Sequence, residues 1–282
     1  MSPDAAASGV LVAGRFRLAL GRPLVMGVVN VTPDSFSDGG KFFDAKAAVA
    51  HARRLAEEGA DILDIGGESS RPGALPVSIA EELDRVLPVL EGLKGIEKPL
   101  SVDTRRPEIM QAALRAGASM INDIEALQAP GALEAMAKAQ CAVCLMHMKG
   151  EPATMQQEPR YDDVVGEVLG FLGSRVQAAL HAGIARERIV ADPGFGFGKT
   201  AAHNFELLRR LEEFSALGVP LLAGWSRKST LGKLTGRPAG ERLAGSLAAV
   251  LLALQAGATI LRVHDVKETR DVVAVWEAFE ND

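Results

Sequence analysis

Short apolar runs alternate along this chain with stretches in which apolar residues recur every three or four positions. The runs cover residues 24–31, 62–67, 100–104, 120–124, 142–148, 189–193, 220–225 and 260–264. Amphipathic stretches at 45–58, 79–90, 107–116, 161–181, 204–214 and 241–255 read as helices between them, and 266–279 as the closing helix. Near-continuous apolar strands with helical crossovers belong to a parallel sheet covered on both faces. Eight such units with nothing left over predict an α/β fold, a closed (β/α)8 TIM barrel rather than an open doubly wound sheet. Gly59, Gly117, Gly183, Gly218 and Gly257 each fall between a helical stretch and the next strand, where a left-handed C-terminal cap belongs. A strand-turn-strand at 10–21 predicts a hairpin outside the barrel, whose core spans about 24–280. No Pro-, Gly- or Ser-rich linker divides the sequence, so 1–282 is expected to be a single domain.

Composition narrows the function. The 282 residues carry 31 Lys+Arg against 36 Asp+Glu, a net charge of −5, which argues against a general nucleic-acid binder. An anionic ligand must then be held by local groups. The most apolar stretch, 243–254, is well short of the ~20 residues that a bilayer span needs. The N-terminal residues show no basic region followed by an apolar one. A soluble, cytoplasmic protein without membrane contact is expected. Cys141 and Cys144 lie three apart in a strand-like run, so their side chains point to opposite faces and read as structural thiols.

The candidate chemistry collects at strand ends. Asn30, Asp64, Asp103, Asn122, His147, Asp192, Ser226, Arg262 and His264 interrupt the apolar runs at their C-terminal ends, which converge on one mouth in a barrel. Burying nine polar groups without ligand or water partners is expensive, so a ligand-filled mouth is the better account. The loops starting at Thr32 and Glu68 are long and polar, whereas ordinary βα loops run about 2–6 residues. The loop after Asp192 alternates glycine with phenylalanine, and Ser226-Arg-Lys-Ser229 sets cations and hydroxyls at a helix start; both suit anions. His51, His181 and His203 fall in or beside helices and read as surface residues.

Two long motifs carry a resemblance. They are Met26-Gly-Val-Val-Asn-Val-Thr-Pro-Asp-Ser-Phe-Ser-Asp-Gly39 and Asp64-Ile-Gly-Gly-Glu-Ser-Ser-Arg-Pro-Gly73. Ser101-Val-Asp-Thr104, Ile121-Asn-Asp123, Met146-His-Met148, Asp192-Pro-Gly-Phe-Gly-Phe-Gly-Lys199, Ser226-Arg-Lys-Ser229 and Arg262-Val-His-Asp265 follow in order. This series, spanning roughly 24–270, resembles the dihydropteroate synthases. Ser70 stands where that family more often has threonine, and Trp225 is bulkier than expected.

The resemblance implies a transferase of folate biosynthesis. It would condense 6-hydroxymethyl-7,8-dihydropterin diphosphate with p-aminobenzoate to 7,8-dihydropteroate and pyrophosphate, using Mg2+, and act as a homodimer as many members do. It implies a pterin pocket of Asp103, Asn122, Asp192, Lys228, Arg262 and Met146, with Met148 as alternative apolar lining. It implies a diphosphate site of Asn30, Ser70, Arg71, Arg262 and His264, with Asn30 near the metal. p-Aminobenzoate would lie against Gly196 and Phe197 with Ser226 facing its carboxylate, under Phe36 and Pro72 from the two long loops. Lys228, Arg262, His264 and Arg71 would be the catalytic groups. The residue types suit this chemistry: carboxylates and an amide match a guanidine-like edge, and a guanidinium can stack on a ring and reach phosphate. The expected displacement is dissociative, with pyrophosphate leaving before the amine attacks. A catalytically silent pterin-binding paralogue, a pterin-binding methyltransferase domain and a Schiff-base aldolase on Lys228 are the alternative readings.

Overall fold

The computed structural model describes residues 9–31, 41–69 and 73–280, the side chains of 41–44 excepted. Strands β1 (Val10–Ala13) and β2 (Phe16–Ala19) form the expected antiparallel hairpin. Eight parallel strands follow: β3 (Leu24–Asn30), β4 (Ile62–Gly66), β5 (Leu100–Asp103), β6 (Met120–Asp123), β7 (Ala142–Met146), β8 (Ile189–Asp192), β9 (Leu222–Ala223) and β10 (Ile260–Val263). Ladders join β3 through β8 in sequence order, β10 joins β3 and β9, and an Ala191–Leu221 bridge links β8 to the segment entering β9. The sheet thereby closes into the predicted (β/α)8 barrel.

The helices around it are α1 (Lys41–Glu57), α2 (Ile79–Gly92), α3 (Pro107–Arg115), α4 (Ala132–Lys138), α5 (Val164–His181), α6 (Ala201–Arg209), α7 (Ser229–Thr235), α8 (Leu243–Gln255) and α9 (Val266–Glu280). The sequence pattern does not single out α4 and α7, because seven residues offer only two turns of periodicity. Residues 204–214, expected as one helix, begin earlier as α6 and break into a 3-10 segment at Leu211–Leu217. Local chemistry sets the starts: Ser78 and Glu81 form a reciprocal cap on α2, as do Thr200 and His203 on α6. The five predicted cap glycines all take positive φ, between +64° and +109°.

Two apolar layers hold the barrel. The larger lies between strands and helices and contains Cys141; the smaller fills the lumen and contains Cys144, so the two thiols do face opposite ways. The hairpin is not the separate appendage expected. Its Leu11 and Ala13, with Leu20, pack against lumen residues Leu24, Met26, Met120 and Ile260 and plug the end where the strands begin. Beside the plug, Asp61 accepts from both guanidinium nitrogens of Arg22 at 2.7 and 3.2 Å, from Arg270, and from the Val25 amide at 2.8 Å. These bonds outweigh burial and hold its carboxyl below the usual range.

Asp61→Ala strands the Val25 amide and two arginines, so a loss of about 2–3 kcal/mol in urea unfolding is expected at pH 7. A depressed folded-state pKa contributes stability above the unfolded value of about 3.9 and loses it as pH falls through the folded value. The difference between parent and variant should therefore hold from pH 5 to 8 and shrink below about pH 4.

Candidate active site

The strand register builds the site floor. Parallel pairing sets Asp103 beside Asn122 and Met146 beside Asp192; Asn122 is the penultimate residue of β6 and the other three end their strands. Arg262, one residue before the end of β10, sends Nε to Asp64 Oδ2 at 2.6 Å and Nη2 to Asp103 Oδ2 at 2.8 Å. Asn122 Nδ2 donates to the same Asp64 oxygen at 3.2 Å. Asp64 is fully buried, and neither its Oδ1 nor Asn122 Oδ1 has a hydrogen-bond partner among the described residues. Each such orphan acceptor costs about 1–3 kcal/mol unless a ligand or water donates to it.

Burial is the main influence on the charges here. It pushes Asp103 up to about 7 despite Arg262, and raises Asp192 although the Gly194 amide donates to it at 2.7 Å. It pushes Lys228 down to about 8, helped by the neighbouring Arg262 cation. Arg262 moves the other way because Asp64 and Asp103 more than offset its desolvation. His264 falls to about 3 through burial and nearby arginines, so the imidazole is neutral.

Loops complete the walls. In the segment after β8, Gly194, Gly196 and Gly198 adopt φ of +70°, +83° and +62°. A Cβ on Gly194 would sit 1.9 Å from the His147 carbonyl oxygen, and one on Gly198 2.3 Å from that of Lys149. Only glycine satisfies both the left-handed backbone and that approach. The turn presents Phe195 to Trp225, with ring centroids 4.8 Å apart, and Phe197 to the Lys228 ammonium, 4.2 Å from the ring centre. Trp225, whose size had no evident purpose in the sequence, also stacks on Phe205 and is buried. Arg227, at φ +57°, turns the chain between Ser226 and Lys228; Ser246, Arg242 and Asp265 hold its backbone and side chain there.

One open cleft of about 290 Å³ results, lined by Asp103, Asn122, Ile124, Met146, Asp192, Phe195, Phe197, Gly224, Lys228 and Arg262. All six residues expected around the pterin are brought together in it. Met148, partly buried, packs against the cluster of Ile124, Met146, Met155 and Phe197 and does not line the cleft. Gly196 is in the adjoining turn, with the Lys228 side chain 3.2 Å from where a Cβ would lie. Ser226 Oγ is engaged by His264, at 3.2 Å from its amide and 3.0 Å from Nδ1. Asn30 ends β3, its Oδ1 facing Gly66 of β4. Phe36, Ser70, Arg71 and Pro72 lie outside the described residues. Of the other histidines, His181 is exposed, His203 caps α6 and His51 is half-buried beside Arg54.

Sequence reasoning placed Asp64 at the mouth without a role and did not assign Ile124, Phe195 or Gly224 to the site. Asp64 was visible as a strand-end carboxylate, but nothing in the sequence says that it orients Arg262 and Asn122.

Known proteins resemble this chain over nearly its whole length. The family model described as pterin binding enzyme matches residues 26–264. The dihydropteroate synthase of Neisseria meningitidis serogroup B is 55% identical over 273 residues, covering 94% of this chain and 96% of its own. The Xanthomonas albilineans dihydropteroate synthase solved with 4-aminobenzoic acid is 56% identical, with a TM-score of 0.92 over 97% of this chain and 98% of that one. The same bacterium's enzyme in complex with 7,8-dihydropteroate superposes with a TM-score of 0.86 at 52% identity, covering 97% and 99%.

Gly194→Ala tests the loop geometry. A left-handed alanine costs about 1–2 kcal/mol and the carbonyl clash adds to it, so a total loss of about 2–4 kcal/mol and altered Trp225 emission are expected. Gly240→Ala, where a Cβ meets nothing within 4 Å, is the neutral control. Equal stability and spectra in the two variants would refute the tight turn.

Proposed function

The chain belongs to the dihydropteroate synthases, and from that premise we propose how its own residues carry the reaction. The enzyme condenses 6-hydroxymethyl-7,8-dihydropterin diphosphate with p-aminobenzoate, giving 7,8-dihydropteroate and pyrophosphate. The observation that supports the residue assignment is the convergence of Asp103, Asn122, Asp192, Lys228, Arg262 and Met146 on one cleft.

The pterin presents a guanidine-like edge of N–H donors. Asp103, Asp192 and the unpaired Asn122 Oδ1 are its acceptors, and Lys228 donates to the ring carbonyl. Arg262 stacks on the ring; its bonds to the two carboxylates use Nε and Nη2, leaving Nη1 as the donor toward phosphate. Ser226 accepts from the His264 amide at 3.2 Å and shares a 3.0 Å hydrogen bond with its Nδ1, which ties down that side of the ring. With Nδ1 engaged by Ser226, His264 meets the diphosphate through Nε2 as a neutral ring, not as a cation. Asn30, at the end of β3, joins that subsite, to which the family resemblance adds Ser70 and Arg71. p-Aminobenzoate rests on Phe197 and Gly196, with Ser226 and the start of α7 toward its carboxylate; the roles of Phe36 and Pro72 are those the family resemblance implies.

In the reaction the bond between the pterin methylene and its diphosphate oxygen breaks, and the electron pair leaves with pyrophosphate. The methylene cation, delocalised into the ring, accepts the amine lone pair; a C–N bond forms and the nitrogen sheds a proton. Fixed acceptors around the ring and fixed donors at the leaving group are what this requires of the protein. The cleft must also be dry, since water would trap the cation.

Mg2+ is part of the proposal. Among the described residues no group of three or more His, Cys, Asp or Glu gathers into a metal cage. The Asn30 carboxamide oxygen is one hard ligand, which fits an ion that keeps waters and takes its remaining ligands from phosphate. When bound, such an ion would neutralise charge on the leaving diphosphate. Among the described residues no helix is long and apolar enough to cross a membrane. We place the enzyme in the cytoplasm as one domain over 1–282. We further assign a homodimer through the neighbouring helices α7, α8 and α9, where Leu234, Leu252, Val275 and Phe279 are exposed.

Pyrophosphate release that requires both substrates and stops in excess chelator is the direct test of activity and metal. Asp192→Asn and Lys228→Ala should weaken dihydropterin diphosphate binding at least tenfold while the circular dichroism stays that of the parent; parent-like affinity removes them from the pocket. The pH profile follows from the charges. Asp103 gains a proton as pH falls through about 7, and Lys228 loses one as pH rises through about 8. The kcat/KM for the pterin substrate should therefore rise through about 7 and decline through about 8. Lys228→Arg, whose cation persists, should abolish the decline.

A further inference from the structure

One buried amine has no part in the chemistry assigned above. Lys199 closes the loop that follows β8 and folds back beneath it, only 2% exposed. Its Nζ lies 2.9 Å from the Gly194 carbonyl oxygen, 3.0 Å from that of Phe197, 3.3 Å from that of His147 and 2.9 Å from His147 Nδ1. The ammonium thus occupies the place of an internal cation, gathering carbonyl dipoles from two ends of one turn and from the end of the neighbouring strand. No carboxylate is bonded to it among the described residues. Burial pushes it down to about 7 and His147 down to about 3, so the imidazole is neutral and its Nδ1 accepts from the Lys199 amine instead of competing as a second cation.

The rest of the turn is fastened from outside. Gly196 donates its amide to Asn204 Oδ1 at 2.7 Å, and its carbonyl accepts from Gln156 Nε2 at 2.6 Å. The Gly198 carbonyl accepts from the Tyr161 hydroxyl at 2.8 Å. Three left-handed glycines leave this segment intrinsically pliant, yet Phe197 must hold its ring 4.2 Å beneath the Lys228 ammonium. Lys199 bonds the carbonyl of Phe197 itself and so fixes the peptide that aims the ring.

We propose that Lys199 is a positioning residue that presets Phe197 and Gly196 as the resting face for the aromatic amine substrate, without touching substrate itself. The inference rests on the assignment of Phe197 to the p-aminobenzoate subsite. Asp192 already has an independent tie to the Gly194 amide, so loss of Lys199 should reach the amine subsite before the pterin pocket.

Lys199→Met keeps the chain length and removes every donor. It is expected to raise KM for p-aminobenzoate about tenfold or more while the Kd for dihydropterin diphosphate shifts less than about threefold. Lys199→Gln, with two donors on a shorter arm, should rescue part of that loss. An unchanged KM in Lys199→Met, or equal weakening of both ligands as a merely structural lysine would give, overturns the proposal. Should Lys199→Met fail to fold, Gln156→Ala removes an exposed tie to the same turn and should raise the amine KM about threefold with pterin affinity retained; a parent-like KM counts against the loop's role. Phe197→Ala separates the two levels. A raised amine KM in Phe197→Ala beside a parent-like Lys199→Met sinks the role of Lys199 alone, whereas an unchanged KM in Phe197→Ala sinks the subsite assignment beneath it.

Discussion

A guanidinium in the lumen of a closed barrel has nowhere to go but to the carboxylates on the strands facing it. Arg262 and Asp64 are 198 positions apart in sequence and meet at 2.6 Å because β10 pairs with β3, and β3 with β4. A buried charge left alone would cost several kcal/mol, so neither partner is tolerable without the other. This pair orders what surrounds it. Asp64 takes two donors on one oxygen, and the second, from Asn122, fixes the carboxamide with its oxygen turned away from that bond. Asp103 receives the other edge of the guanidinium. Three strands are thereby locked to a fourth at the floor of the cleft, and their acceptors become a rigid pattern rather than a set of mobile side chains.

Above this floor, rigidity comes from backbone chemistry. The glycine-phenylalanine turn packs its peptides too closely for any side chain at Gly194, and it spends the two remaining positions on rings. Phe195 passes into the Trp225–Phe205 stack, while Phe197 faces the cleft and Lys228. Arg227 shows the same division. Ser246 and Arg242 hold its left-handed backbone and Asp265 its side chain, and the chain is thus fixed between Ser226 and Lys228. Strain of about 1–3 kcal/mol at such a residue persists only where the surroundings over-determine it.

The strand rhythm was legible because parallel strands buried on both faces are apolar throughout, and the polar residues that end them stand out for the same reason. Asp103, Asn122, Asp192 and Arg262 could be grouped before any coordinates existed. Their partners could not. Sequence spacing says that Arg262 and His264 face the same way, but not that Arg262 is braced by Asp64 or that Ser226 belongs to His264, since those pairings depend on register and curvature across the barrel. The hairpin illustrates a different limit: four-residue strands with alternating burial reveal a turn, yet not that Leu11 seals the lumen. Trp225 was conspicuous by size alone, and its purpose emerged only when Phe195 and Phe205 were found on it. Lys199, at the end of a motif rich in glycine, carries no local signal that its amine turns back into the loop.

The electrostatics of the cleft bear on why this arrangement accelerates a dissociative substitution. Asp103 and Asp192 are both raised by burial, so in the ligand-free protein their negative charge is under-compensated. Arg262 is already shared between Asp64 and Asp103, and Lys228 is itself depressed by desolvation and by that arginine. In the proposed pose a neutral dihydropterin would supply N–H donors and relieve part of the deficit. A ring that acquires positive charge as pyrophosphate departs relieves more, because each acceptor then faces a stronger donor at unchanged distance. Interactions that strengthen only as charge develops lower the barrier instead of merely tightening substrate binding. On this view the unfavourable burial of two carboxylates is a functional feature of the barrel mouth: it leaves the site better matched to the cation than to the molecule from which the cation forms.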